Sequence, residues 1–390
     1  MSNESIRRSA ADLAWSLWTE LGVPGVVRHH AAISVDVEPL LVVTPALAGD
    51  DSRLLEQVLG WCVTNAALVN TSRLTTLLAC LPALPRAAFE QFAATANAAA
   101  GTKWPASGSS WEPMPRVRPV PMHLGRPSLW RLRARALCGV GTRADVLCDL
   151  AIRYPVWTSA AELAEGGHSK RNVARVLAEF ASAGIILQTE AGNKLRFCLA
   201  RPLAFSQLLG DCAPASPDWP RIFALALRLL DFAAMPDATA SVGRVHANTA
   251  RGEISPLSDV LQLDAPPETR GNPDALDVFR EWAERQISDL ANGTSPALGY
   301  EPTGPRAPEI VPTGQIFMLG SGISSKSNKI LSFKILLMLL DIVNLNIYMF
   351  SKLVDGRKDA PRFIMIKSKL SQQMIVFRTD FIETVPTIER

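Results

Sequence analysis

The sequence predicts a mainly α-helical chain broken near its middle by one β-hairpin. Apolar residues recur at helical spacing through much of the first 290 positions, whereas residues 185–199 run as two short extended segments around a Gly-Asn pair. A change of composition near position 316 sets the tail apart from both. The chain of 390 residues is long enough for two or three domains, and an apolar fraction of 48% supplies the side chains for their cores. Net charge is only +3, so any basic surface has to be found locally.

Leu13, Leu17, Trp18 and Leu21 share one side of a first helix that ends at Gly22, with Pro24 behind it. Further helices are expected over about 38–47, 52–68, 72–81 and 86–99; in the second of these Leu54, Leu55, Val58, Leu59 and Cys62 form an amphipathic stripe. Residues 1–100 thus read as a helical domain, with Trp15, Trp18 and Trp61 in its core or lining a groove between its helices. Residues 101–128 turn to Pro, Gly, Ser and Arg and lose periodicity, which predicts a solvated linker; as an arm it would offer Arg116, Arg118 and Arg126 to phosphates.

Residues 129–200 carry the most specific pattern. Val146, Leu147, Leu150 and Ile152 define a helix over 143–153 that closes before Tyr154-Pro155. Thr158 or Ser159, followed by Glu162, makes a capping-box signature for a short second helix with Leu163 and Ala164 inside. Gly166-Gly167 provides a turn, Ser169 caps a third helix over 170–183, and Gly184 ends it. Val173, Val176, Leu177 and Phe180 form the buried stripe of that helix, which leaves Arg171 and Arg175 pointing away together. Residues 185–189 and 194–199 then read as strands joined around Glu190-Ala191-Gly192-Asn193, with Gly192 and Asn193 suited to positive φ. Helix, helix, turn, helix and hairpin within seventy residues describe a winged helix-turn-helix.

The stretch resembles the bacterial winged helix-turn-helix transcriptional regulators of the MarR and ArsR type, in Ala160-Ala161-Glu162-Leu163-Ala164, in Ser169-Lys170-Arg171-Asn172-Val173-Ala174 and in Ala183-Gly184-Ile185-Ile186. It covers under a fifth of the chain, and the cysteine pair of the metal-sensing ArsR proteins is absent. The resemblance implies that the third helix enters the major groove over 170–175 and that a wing over 192–196 lies on the backbone or in the minor groove. Arg171, Asn172 and Arg175 are then candidates for base edges, since arginine matches guanine and asparagine adenine in bidentate fashion. Ser169, Lys170, Asn193, Lys194 and Arg196 are candidates for phosphate or wing contacts, with His168 at the helix entry. From Trp130 to Ala200 ten basic residues face six acidic ones, and a positive module suits phosphate binding.

After position 200, helices are expected over 218–232 and 275–290, in a helical extension over 201–315 suited to pairing two copies of the chain. In the tail over 316–390 alanine occurs only at Ala360. Ile330–Phe350 has a membrane-spanning length but holds Lys334, Asp341, Asn344 and Asn346, and each central charge costs about 2.5–3.5 kcal/mol. A membrane span is therefore disfavoured; a buried helix, a strand pair or a rearranged C-terminus stay open.

Six cysteines without a C-x-x-C pair, among apolar neighbours, read as reduced thiols in a cytoplasmic chain. His29, His30, His123, His168 and His246 are scattered outside metal-ligand spacing, and no nucleophile elbow, P-loop or dinucleotide glycine pattern occurs; Gly320-Ser321-Gly322 only loosely resembles one. No cofactor, metal or catalytic group is expected. The sequence thus points to a dimeric regulator binding double-stranded DNA sequence-specifically. The alternatives are the DNA-binding antitoxin of a toxin-antitoxin pair, or a winged-helix interaction scaffold without DNA binding.

Overall fold

The computed structural model describes residues 3–25, 28–112, 118, 120–210, 213–235, 240–269, 274–299, 363–367 and 374–378. The chain divides into two compact units, 1–310 and 311–390. The described residues of the first are mainly helical, with one two-stranded antiparallel sheet.

Helix α2 (Val37–Ala48) is the axis of the first unit. Its sequence is apolar all round, so it finds no stable place at a surface, and Val37, Leu40, Leu41, Val42, Val43 and Leu47 are all buried. Around it pack α1 (Asn3–Glu20), α4 (Thr71–Ala79), α5 (Ala83–Ala100) and α11 (Trp219–Ala233), with α3 (Ser52–Asn65) alongside α5. Thr44 ties two of these together: its hydroxyl donates to Leu40 O at 2.7 Å, as a threonine inside a helix does, and accepts from Trp18 Nε1 at 2.7 Å. Trp18 meets Trp61 of α3 edge-to-face at 5.3 Å.

Helix α13 (Ala275–Ala291) lies along α1, and α12 (Ala240–Val260) against α11 and α13. Residues from α1–α5 and from α11–α13 therefore share one apolar core, and the expected helical domain over 1–100 and extension over 201–315 meet in it. His30 spans the two. A carbonyl can only accept, so its Nε2–H donates to Leu290 O at 2.9 Å, and Nδ1 accepts from the Ser16 hydroxyl at 2.7 Å.

Most described residues of 101–128 are exposed or half-buried, as in a solvated linker, but the stretch is also anchored to the helices at single points. Trp104 and Val120 are buried, Asn97 holds Trp104 through both its backbone groups, and Asn65 and Thr64 of α3 bond the Val120 backbone. Backbone approaches this close need small neighbours: a Cβ at Gly60 would lie 2.4 Å from Arg118 O. Proline and serine content hid the strap because its anchors are single residues without periodicity.

Residues 130–200 form a compact module on α6 (Trp130–Cys138), α7 (Thr142–Arg153), α8 (Ala160–Ala164), α9 (Lys170–Ser182), β1 (Ile186–Ala191) and β2 (Lys194–Leu199), followed by α10 (Pro202–Leu209). Its own core joins Val146, Leu150, Leu163, Val173, Val176, Leu177, Ile186, Phe197 and Leu199. Helices α6, α10 and α12 were not legible in the sequence. In α6 the buried face carries Arg131 and Arg135, and in α12 the inner residues Ala247, Ala250 and Ile254 are mostly small, so neither shows a strong apolar stripe.

In the second unit β3 (Phe363–Lys367) pairs antiparallel with β4 (Met374–Arg378), Phe363 opposite Arg378. The Ile330–Phe350 segment and Gly320-Ser321-Gly322 lie outside the described residues. Among those described, no helix is long and apolar enough to cross a membrane.

Burial, only partly offset by the bond to Leu290, lowers the His30 pKa from 6.5 to about 4. The folded chain thus refuses a proton that the unfolded chain accepts below pH 6.5, and stability falls as pH drops from there toward 4. The expected loss is on the order of 3 kcal/mol. Urea unfolding across this window should show the slope, and His30→Gln should flatten it; an unchanged slope in that variant would assign the effect to other groups.

Candidate nucleic-acid interface

Helix α8 opens on a full capping box. The Ser159 hydroxyl accepts from Glu162 N at 3.3 Å, and the Glu162 carboxylate accepts from Ser159 N at 2.9 Å. Gly167, at φ 95°, makes the turn, and Ser169 caps α9 by accepting from Asn172 N at 3.2 Å. Ser169 is thus engaged by its own helix. Gly184, at φ 69°, releases the chain into β1.

The apolar face of α9 is buried as its spacing requires, and the opposite face is open: Lys170, Arg171, Asn172, Ala174 and Arg175 are all exposed. Arg175 pairs with Glu179 one turn on at 2.7 Å, and Arg143 of α7 reaches the same carboxylate. Arg143 and Arg175 hold the Glu179 carboxyl below its ordinary range. The i,i+4 pair is readable in the sequence; Arg143, thirty-six residues away, is not.

The hairpin places Ala191 opposite Lys194, so Gly192 and Asn193 alone form its turn. Only Gly192 takes positive φ there, at 61°, which corrects the expectation for Asn193: a turn with glycine at its first central position needs one positive φ, not two. Asn193 and Lys194 are exposed at the tip. Arg196 differs from the expectation of an outward wing cation. Its guanidinium donates to Trp157 O at 3.0 Å and lies 3.5 Å from Glu162, tying the hairpin to the entry of α8. Backbone bonds between Thr158 and Phe197, at 2.9 and 2.8 Å, add a third extended segment to the sheet's edge.

His168 also turns inward. Its side chain is 5% exposed, with Nε2 3.3 Å from Asp145 Oδ2 but off the line of a good hydrogen bond. Asp145 belongs to a buried ion cluster that sequence reasoning missed. Arg73 of α4 grips Asp36 with both terminal nitrogens and Glu38 at 2.7 Å; Arg135 of α6 binds Glu38 at 2.9 Å and Asp145 of α7 at 2.9 Å. Arg131 pairs with Asp149, and Asn70 N donates to Glu38 at 2.7 Å. Burial alone would raise the carboxyl of Asp145, but Arg135, His168, Arg73 and Arg131 outweigh it and hold it well below the usual carboxylate range. Asp36 is lowered in the same way, burial being outweighed chiefly by Arg73. Arg131 and Arg135 are therefore not part of the module's basic surface. Arg133 points its guanidinium at the carbonyls of Leu124 and Arg126.

Burial raises the thiols of Cys62, Cys138, Cys148 and Cys198, and Cys198 reaches about 11, which suits inert core positions. Among the described residues no group of three or more His, Cys, Asp or Glu is arranged to hold a metal. Comparison of the chain with family models, curated proteins and solved structures found no match.

Breaking the cluster strands the remaining charges out of water. Asp145→Asn should cost about 3–5 kcal/mol in urea unfolding at pH 7. Because the native pKa values of Asp36 and Asp145 lie below their unfolded value of 3.8, their stabilisation is present above about pH 4 and is lost as pH falls below it. In Asp145→Asn the acid limb should be correspondingly shallower; an equally steep limb would exclude Asp145 as its source.

Proposed function

We propose that residues 130–200 are a winged helix-turn-helix and that the protein is a regulator binding double-stranded DNA sequence-specifically. The observation that carries this reading is the open face of α9. Arg171, Asn172 and Arg175 stand exposed on a helix whose other face is locked into the module core, and the preceding turn and cap leave its N-terminal residues free to enter a groove. Lys170 beside them, and Asn193 and Lys194 at the hairpin tip, are placed for phosphates. Arg143, next to Arg175 through Glu179, joins the candidates. Ser169 acts through its cap and Arg196 through the hairpin's anchorage. Pairing of two chains, each reading one half-site, belongs to the same proposal.

A second reading rests on α10, where Leu203 and Leu208 are 60% and 59% exposed directly after the hairpin. Such residues suit a protein contact, as in a winged-helix interaction scaffold without DNA binding; a DNA-binding antitoxin would use the same contact beside an intact DNA face.

Binding of the full chain to a fluorescent duplex from its own upstream region, against unrelated duplex, separates the two. The expected result is specific binding that weakens steeply with salt and falls at least about tenfold in the Arg171→Ala, Arg175→Ala double variant. Loss of each phosphate contact, as in Lys194→Ala, should instead reduce the salt slope by about one, equally on both duplexes. A folded chain that binds no duplex, or binds with no salt dependence, would favour the protein-contact reading.

A further inference from the structure

We propose that α4 positions the candidate recognition helix: Arg73 and Leu77, which belong to the helical core, hold the Gly166–Gly167 turn and so fix how the first turn of α9 is presented. The proposal rests on the DNA-binding reading for its functional consequence, but the clamp itself stands on the turn's geometry.

Gly166 O accepts from Arg73 Nε at 2.6 Å, across ninety-three residues of sequence. Arg73 is not a mobile surface arginine that happens to reach the turn. Its side chain is 2% exposed, and Asp36 and Glu38 occupy its terminal nitrogens, so the Nε–H is aimed at one place. The next residue is held by shape. A Cβ on Gly167 would lie 3.0 Å from Leu77 Cγ and Cδ2 and 3.3 Å from Arg73 Cγ, and its φ of 95° already favours glycine. The turn backbone therefore lies directly on α4.

The two following residues continue the chain of restraint. His168 packs its ring toward Asp145, which Arg135 binds in turn, and Ser169 caps α9. Four successive residues are thus fixed by four different contacts, the first two from α4, and they lead without a break into Lys170, Arg171 and Asn172. The turn's internal bonds, from Gly167 N and His168 N to Ala164 O at 3.1 Å, tie it only to α8. Contact with α4 adds a reference point outside the module. A small displacement of α4 is then transmitted to the N-terminal end of α9, although no residue of α4 is among those proposed to touch DNA.

The test uses Leu77→Ala and Arg73→Lys in the full chain. Lysine keeps the charge that Asp36 and Glu38 require, but its donors all sit on one terminal nitrogen, and it has no N–H at the place of the Nε that reaches Gly166. Amide hydrogen exchange over residues 164–172 is read against residues 146–152 of α7, together with affinity for the upstream and unrelated duplexes. In both variants exchange over 164–172 should quicken about tenfold, the size expected from losing one hydrogen bond or one packed side chain, with α7 unchanged. Discrimination between the duplexes should fall by a similar factor while salt dependence is retained, and Leu77→Met should restore both. Should Arg73→Lys fail to fold, the two Leu77 variants carry the test alone. Unchanged exchange over 164–172, or equal quickening in α7, overturns the proposal. Quickened exchange in a chain that binds neither duplex would uphold the clamp and remove the DNA reading instead.

Discussion

Three arginines and four carboxylates meet where α2 and α4 abut α6 and α7, and the first unit is organised around that meeting. Arg73, Arg131 and Arg135 face Asp36, Glu38, Asp145 and Asp149 with side chains at most 14% exposed. Ion pairs so deeply buried contribute little net stability compared with an apolar interface of the same size, because removing each charge from water costs several kcal/mol. What they contribute is intolerance of any other arrangement. A shift that separates one pair leaves a bare charge in a low-dielectric interior, so the two regions have one well-defined way to fit.

This constraint reaches the candidate interface by short steps. Glu38 extends from the helix most deeply buried in the core and is shared by Arg73 and Arg135, so α2 grips α4 and α6 at once. Arg73 continues to the Gly166 carbonyl, and Asp145 continues to His168. The exposed residues of α9 are therefore carried on a frame set by the helical core, while the face they present is left open. Rigid support beneath a polar, solvated face is the arrangement that base recognition needs, since bidentate contacts tolerate little misplacement.

Some residues that look available are used internally. Arg196, Ser169 and His168 each resemble interface residues by type and position, yet one anchors the hairpin, one caps a helix and one faces a buried carboxylate. The basic excess of the 130–200 stretch is correspondingly smaller at the surface than in the sequence, because Arg131 and Arg135 belong to the ion cluster. Of the proposed contacts, Lys170, Arg171 and Lys194 are exposed, while Arg143 and Arg175, also exposed, share Glu179; for so short a list single substitutions are informative.

Local patterns were legible in the sequence. The capping box at Ser159, the cap at Ser169, the stripe from Val173 to Phe180, the stop at Gly184 and the Gly192 turn each act within a few residues, through hydrogen bonds and backbone angles that sequence spacing encodes directly. The same spacing determined that Arg171 and Arg175 share an exposed face. It could not determine what covers the other surfaces. Arg73 and Arg135 carry the residue type of a solvated face, and only the tertiary fold brings Glu38, thirty-five and ninety-seven residues away respectively, to neutralise them. The anchors Trp104 and Val120 and the small-residue helix α12 were hidden for a related reason: their burial is decided by what packs on them, which no local periodicity records.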